Sequence, residues 1–203
     1  MKLIGMFDSP FVRRTLVSAR LMNLSLQHEQ ISVFRQADAF RALNPIVQAP
    51  TLVFDDGTVM VDSQIIVSFL ETLAAPSKRL TPTDAAARLR CLRLTSVALA
   101  ACDKAVHLYY ENHLRPDTAR WPEWIGRKCD QLRAAFDLLE TGMPDAGWLS
   151  GGTDPDLADV SVAVAWRFAC HAVPEHLDTA RYPRLTRHSA TAETLPAFQA
   201  TDF

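Results

Sequence analysis

Ala49-Pro50-Thr51-Leu-Val-Phe54-Asp55-Asp56-Gly57-Thr58-Val-Met-Val61-Asp62-Ser63 is the stretch that decides the fold. Two short runs rich in β-branched and aromatic residues, Thr51–Phe54 and Thr58–Val61, are separated by an Asp-Asp-Gly turn former, which predicts a β-hairpin. Pro50 cannot donate to a sheet ladder, so it marks a strand entrance. Asp62 and Ser63 are helix-capping residues, and Ile66, Phe69, Leu70 and Leu73 follow at i, i+3, i+4 and i+7. The unit is therefore ββα. Upstream, Lys2–Phe7 reads as a strand, and Asp8-Ser9-Pro10 reads as a helix start with a proline in the first turn. Val12, Leu16 and Ala19, widened by Val17 and Leu21, carry that helix to about Met22. A second strand is predicted over Gln27–Val33, and residues 34–49 are irregular apart from one turn of helix around Ala39–Leu43. A βαβ unit followed by a ββα unit outlines a small mixed sheet covered by helices, an α/β domain over residues 1–75.

Downstream the pattern changes. Ala74–Thr83 has the prolines, small residues and charges of a linker, and no strand pattern follows it. Leu89, Leu92, Ser96, Leu99, Asp103, Val106 and Tyr110 form one helical stripe. Leu94, Val97, Ala101, Ala105 and Leu108 form another, so a long helix buried on much of its circumference is expected. Arg115-Pro116 ends it. Leu132, Ala135, Phe136 and Leu139 mark a further helix that Gly142 stops, and Val160–Cys170 is apolar almost all round, as a central bundle helix should be. Residues 85–203 are therefore expected to form an all-helical domain.

Composition narrows the function. With 203 residues and 48% hydrophobic content the chain can bury a substantial core. Lys and Arg total 21 against 23 for Asp and Glu, and residues 1–75 carry six basic and seven acidic side chains, a balance that argues against a basic nucleic-acid face, although folding can still gather a local patch. Four cysteines (Cys91, Cys102, Cys129, Cys170) lie far apart without C-x-x-C or metal-type spacing, which fits a reducing compartment. No metal site is expected: His107 and His113 do not share a helix face, and His171 and Glu175 straddle a Val173-Pro174 break. No run approaches the roughly 20 apolar residues needed to span a bilayer. No export segment is recognisable either, so a cytoplasmic location is expected. The phosphate-cradling and nucleophile-elbow motifs are missing.

Three local features can carry chemistry. Ser9 stands at a helix N-terminus, where unpaired N–H groups and the helix dipole favour an anion. Its hydroxyl either caps its own helix or donates to a bound thiolate or carboxylate. Ala49-Pro50, in the cis form, would expose the Ala49 backbone to pair with a ligand as a strand would; in the trans form it is an ordinary strand end. Asp62-Ser63 suits an α-amino-acid head group, and capping explains it equally well.

The spacing of these features on a βαβ–ββα scaffold, with a helical half behind, resembles the soluble glutathione transferase family. The motifs are Ser9-Pro-Phe-Val-Arg13, Asn44-Pro45-Ile-Val-Gln-Ala-Pro50-Thr-Leu52 and Asp62-Ser63-Gln-Ile-Ile66. Trp148-Leu-Ser-Gly151 and Asp156-Leu-Ala-Asp159 resemble the family's helix-capping segment. The Ser-Pro-Phe-Val-Arg start is most similar to a bacterial branch that uses serine. The resemblance implies a thioredoxin-like N-terminal domain, an all-helical C-terminal domain, a homodimer, and glutathione as co-substrate in a detoxifying transfer to a small, apolar electrophile. It implies that Ser9 hydrogen-bonds the glutathione sulfur, that Ala49 before a cis Pro50 pairs with the cysteinyl unit, and that Asp62 and Ser63 hold the γ-glutamyl end. Gln48 stands where many members carry lysine, leaving Gln48 or Arg35 for the glycyl carboxylate. An acidic residue of the long helix, here Asp103, reaches the glutathione amino group across the dimer in several relatives; a structural salt bridge is its other reading. Phe11, His107 and Tyr110 are expected to wall the electrophile's pocket between the halves. The alternative function is a glutathione-binding or regulatory protein of the same fold without efficient turnover.

Overall fold

A computed structural model describes residues 1–203. Strand β1 (Lys2–Ile4) pairs in parallel with β2 (Gln27–Glu29) and antiparallel with β3 (Thr51–Val53), and β4 (Val59–Val61) closes the sheet in the order β2-β1-β3-β4. The hairpin forms as its sequence predicts, with Thr51 opposite Val61 and Val53 opposite Val59, and the Phe54 N–H donates to Thr58 O across the turn at 2.9 Å. Helix α1 (Pro10–Leu21) buries Val12, Leu16 and Val17, and α3 (Ser63–Leu73) buries Ile66, Val67 and Leu70. With Leu3, Ile4 and Leu52 of the sheet they make the core of a thioredoxin-like unit; each such side chain contributes about 1.5–3 kcal/mol when removed from water.

Two local expectations change. Strand β2 stops at Glu29 instead of Val33, because the Ser32 hydroxyl accepts from the Phe34 and Arg35 N–H groups and turns the chain away. The irregular stretch contains a seven-residue helix, α2 (Ala37–Leu43), longer than the single turn expected, which seats Phe40 against Ile4 and Ile31.

The second unit, Pro82–Thr194, is helical: α4 (Ala85–His113), α5 (Pro122–Gly142), α6 (Leu157–Ala172) and α7 (Pro183–Glu193). Helix α6 is the buried centre, and Phe136 meets Trp166 edge-on with ring centroids 5.0 Å apart. Helix α4 departs from expectation. Its Leu94, Ala101, Ala105 and Leu108 stripe is covered, whereas Leu89, Leu92 and Tyr110 of the other stripe are exposed, because α5 and α6 pack on one side only.

The last residues also depart from expectation. Leu195–Phe203, including the short helix α8 (Pro196–Gln199), group with Met1–Thr81 instead of with the helical unit. Arg13 on α1 supplies the reason. Its guanidinium is buried and donates from Nε to Thr201 O at 3.1 Å and from Nη2 to Phe198 O at 3.3 Å, with the Phe198 and Phe203 ring centroids 5.5 and 5.2 Å away. A buried cation needs such partners, and the tail brings them.

Candidate functional site

The loop between β1 and α1 turns on Gly5, whose φ is +140°. A Cβ there would lie 2.5 Å from Val12 Cγ2 and 3.1 Å from Ala49 Cβ, so the bare backbone lets the loop, α1 and the Ala49 segment meet. Gly5→Ala is expected to cost about 2–3 kcal/mol, from overpacking and from backbone strain, read as a fall in the chemical-denaturation midpoint. From Gly5 the chain reaches Ser9, the N-cap of α1 as expected, in extended conformation at φ −72° and ψ 122°. Ser9 Oγ accepts from the Val12 N–H at 3.4 Å, a long bond, and the hydroxyl hydrogen has no acceptor in the chain. No acidic side chain occupies the first turn of α1, so nothing there competes with an incoming anion. Phe11 lies in that same turn and is half-buried.

The second segment is organised by the first residue of the Asn44–Leu52 motif, to which the sequence assigned no role of its own. Asn44 is buried and donates from Nδ2 to Thr51 Oγ1 at 2.9 Å, while its Oδ1 accepts from the Ile46 N–H at 3.0 Å. The only sequence signal for this role is an Asn-Pro step ahead of a second proline. Thr51 Oγ1 in turn donates to Gln48 O at 2.6 Å. These bonds clamp residues 44–51, and the Ala49-Pro50 peptide within them is cis. Gln48 contributes its carbonyl to the clamp and extends its side chain into solvent.

The third segment is the start of α3. Asp62 has φ +72°, and its Oδ1 accepts from Gln64 N at 2.8 Å and Ile65 N at 3.3 Å, so it caps the helix. Ser63 is buried, and its Oγ accepts from Arg14 Nη1 at 3.3 Å; Arg14 Nη2 donates to Gln64 Oε1 at 2.7 Å. Arg14, itself buried, thus ties the Ser9 helix to the Asp62-Ser63 turn. Its signal was a second consecutive arginine inside an apolar helix. Arg35 is different: it is exposed, its backbone N–H is held by Ser32 Oγ, and no hydrogen bond or ion pair ties its guanidinium to the three segments.

In the helical unit, Asp103 accepts from Lys104 Nζ at 2.6 Å, with His107 Nδ1 at 3.6 Å from the same oxygen. The carboxylate that looked costly on an apolar stripe is half-exposed and paired on its own helix. Tyr109 stacks on His113 with ring centroids 4.3 Å apart. The open cavity nearby, about 670 Å³, is lined by Tyr109, Asn112, His113, Arg120 and His171 among others. His107 and Tyr110, expected to be pocket walls, do not line it; both lie exposed on α4.

Comparison with known proteins finds relatives of the chain. Residues 3–78 match the family description glutathione S-transferase, N-terminal domain, and residues 122–191 match glutathione S-transferase, C-terminal domain. The chain is 30% identical to a maleylacetoacetate isomerase of Pseudomonas aeruginosa over 98% of its own length and 94% of the relative's. It is 26% identical to glutathione S-transferase Z2 of Arabidopsis thaliana over 98% and 89%. Among solved structures, a glutathione transferase family member of Pseudomonas fluorescens with bound glutathione superposes with a TM-score of 0.83 at 27% identity, covering 98% of this chain and 97% of that one. A glutathione S-transferase of Methylobacterium radiotolerans in complex with glutathione sulfonate superposes at 0.90, covering 98% and 93%; at 24% identity it speaks for the fold alone.

Proposed function

Because this chain belongs to the glutathione S-transferase family, we propose that its thioredoxin-like unit binds glutathione along the three segments meeting at Ser9, Ala49 and Asp62, with Ser9 stabilising the thiolate. The chain is a glutathione transferase. The observation that carries the reading is the Ser9 hydroxyl: it sits at the N-terminus of α1, and its hydrogen is left for a ligand. An extended tripeptide lying along Ala49 would put its cysteinyl sulfur near this group and its γ-glutamyl end near Asp62 and Ser63. The exposed Asp62 carboxylate suits the ammonium, and the Ser63 turn with Arg14 behind it suits the α-carboxylate. Gln48, exposed at the rim of the clamp, is the better placed of the two candidates for the glycyl carboxylate.

The thiolate attacks an electrophilic carbon of a small, apolar substrate. A C–S bond forms, the leaving group departs with the bonding pair, and the thiol proton goes to solvent. Phe11 belongs to the co-substrate side of this reading, as do His107 and Tyr110. Asp103 is retained as an amino-group contact in a homodimer, supported by its half-exposed carboxylate. Cytoplasmic location belongs to the same reading.

A second reading rests on the name of the Pseudomonas aeruginosa relative, an isomerase. There the same thiolate would add to an activated double bond and be expelled after rotation, so glutathione would not be consumed.

One experiment separates these readings. The purified protein is expected to be retained on immobilised glutathione, released by free glutathione, and to conjugate an activated aryl halide with loss of free thiol. Retention with isomerisation of an activated cis-alkene and no thiol loss would favour the isomerase. Retention without turnover of any electrophile would favour the binding protein. No retention and no turnover would refute all three.

A further inference from the structure

His28 stands on β2 opposite Leu3 and has no part in the three segments above. Its Nε2 lies 2.8 Å from Gly5 O. Its ring packs on Phe7, with centroids 4.5 Å apart and planes tilted by 37°. Beside it, the Gly5 N–H donates to Glu29 O at 3.1 Å. A carbonyl can only accept, so the hydrogen must be on Nε2. Burial pushes the imidazole below the usual histidine range; the bond to Gly5 O opposes this, and the Arg20 guanidinium on α1 adds to the lowering. The neighbouring Glu29 is paired with Lys2 of β1 at 2.8 Å. The ring is therefore held as a donor to the loop, and its burial favours the neutral form.

The loop needs such a hold. Gly5 has the freest backbone of any residue type, and from Met6 to Ser9 the only internal backbone bond is Ser9 N–H to Met6 O at 3.2 Å. Ser9 sits at the far end of this segment, and a displacement of about 1 Å between reacting groups can cost on the order of 10²-fold in rate.

We propose that His28 is a positioning residue for the transferase reaction: through its bond to Gly5 O and its packing on Phe7, it fixes the loop that aims the Ser9 hydroxyl at the glutathione sulfur. It touches no substrate and acts through the loop alone. The proposal rests on the reading of Ser9 as the thiolate donor.

The test uses the full chain with His28→Leu, His28→Gln, Phe7→Leu and Ser9→Ala. Four quantities are measured: kcat, KM for glutathione, the bound thiol's pKa from the ultraviolet absorbance of its thiolate, and hydrogen exchange of the Ser9 amide. Loss of one neutral hydrogen bond predicts that His28→Leu lowers kcat about 3- to 10-fold. The bound thiol should titrate higher, the Ser9 amide should exchange faster, and KM for glutathione should change little. His28→Gln, which can still donate, should recover most of the rate, and Phe7→Leu should show a smaller loss of the same kind. If His28→Leu melts lower yet keeps the parent's kcat, thiol pKa and Ser9 exchange, His28 is only structural and the proposal is overturned. If His28→Leu does not fold, Phe7→Leu decides: parental kcat, thiol pKa and Ser9 exchange in that variant would overturn the proposal equally. If Ser9→Ala itself leaves thiol pKa and rate unchanged, the reading of Ser9 falls and takes the proposal with it. A strong Ser9→Ala effect with none in the His28 and Phe7 variants sinks the proposal alone.

Discussion

Ser9→Ala is expected to lower kcat/KM about 10- to 100-fold near neutral pH, because a hydrogen bond to a charged acceptor contributes about 1.5–3 kcal/mol, or one to two pKa units of thiolate stabilisation. The helix N-terminus remains in the variant, so some activation survives. The sign of the pH dependence follows from the thiol. Free cysteine titrates at about 8.5, and the donor pulls the bound sulfur below that; once alanine replaces Ser9 the titration moves back up. The rate deficit is therefore full on the acid side and closes once the pH exceeds the variant's thiol pKa. Stability should move little, since the cap bond to Val12 N is long at 3.4 Å and replacing a serine cap by alanine costs about 1 kcal/mol. Ser9→Asp separates the two roles. It keeps a cap acceptor but sets a negative charge against the sulfur, so it should melt like the parent and turn over more slowly still than Ser9→Ala. Superimposable pH–rate profiles for parent and Ser9→Ala would reduce the hydroxyl to a cap.

The parts of the molecule that were legible in the sequence are those fixed by local chemistry. The Asp55-Asp56-Gly57 turn, the Ser9 and Asp62 caps and the Asp156-Leu-Ala-Asp159 box each act within four residues, and each appears where its residues stand. Periodicity found the helices but could not choose between the two stripes of α4, because both repeat equally well and only the placement of α5 and α6 decides which is covered. Side-chain bonds across the chain leave no periodic trace. Arg13 meets Thr201 188 residues away, Arg14 meets Ser63 49 residues away, and His28 meets Gly5 across 23. The candidate site was legible as three segments for that reason, while the bonds that Arg14, Asn44 and His28 make across the chain were not.

The two consecutive arginines of α1 divide their work. Arg13 faces the tail and binds its carbonyls, whereas Arg14 faces the start of α3. The helix that carries Ser9 is thereby fixed on two sides by charge-assisted bonds inside one unit, which are about twice as strong as neutral ones. Such rigidity is what a donor needs if it is to stay aimed at a developing charge without reorganising.

The largest loss of stability is expected in the helical unit, at Asp159→Ala. Asp156 caps α6, its Oδ1 accepting from Ala158 N at 2.8 Å and Asp159 N at 3.1 Å, and Asp159 reaches back to accept from Asp156 N at 2.9 Å. The same Asp159 carboxyl accepts from Leu149 N at 2.6 Å and Ser150 N at 3.4 Å, so one side chain fixes both the first turn of α6 and the loop before it. That loop carries Trp148, which packs edge-on against His188 of α7 at 5.5 Å, and His188 Nε2 donates to Asp159 O at 3.1 Å. Alanine would strand three N–H donors around a fully buried position, at about 1–3 kcal/mol each. The carboxyl's own burial offsets part of this, pushing its pKa up to about 7. The net expectation is about 3–5 kcal/mol, a lowering of Tm by roughly 10 °C for a chain of this size. Because the folded-state pKa lies above the unfolded value of about 3.9, the group's stabilisation is fullest below that value and declines as the pH rises towards 7, so the gap between parent and variant should be wider at low than at neutral pH. Asp156→Ala removes only the cap half of the box and should cost about 1–2 kcal/mol. Equal melting of the parent and Asp159→Ala would mean that water replaces the carboxylate at Leu149, Ser150 and Asp156, and that the box is not what holds α6 to its loop.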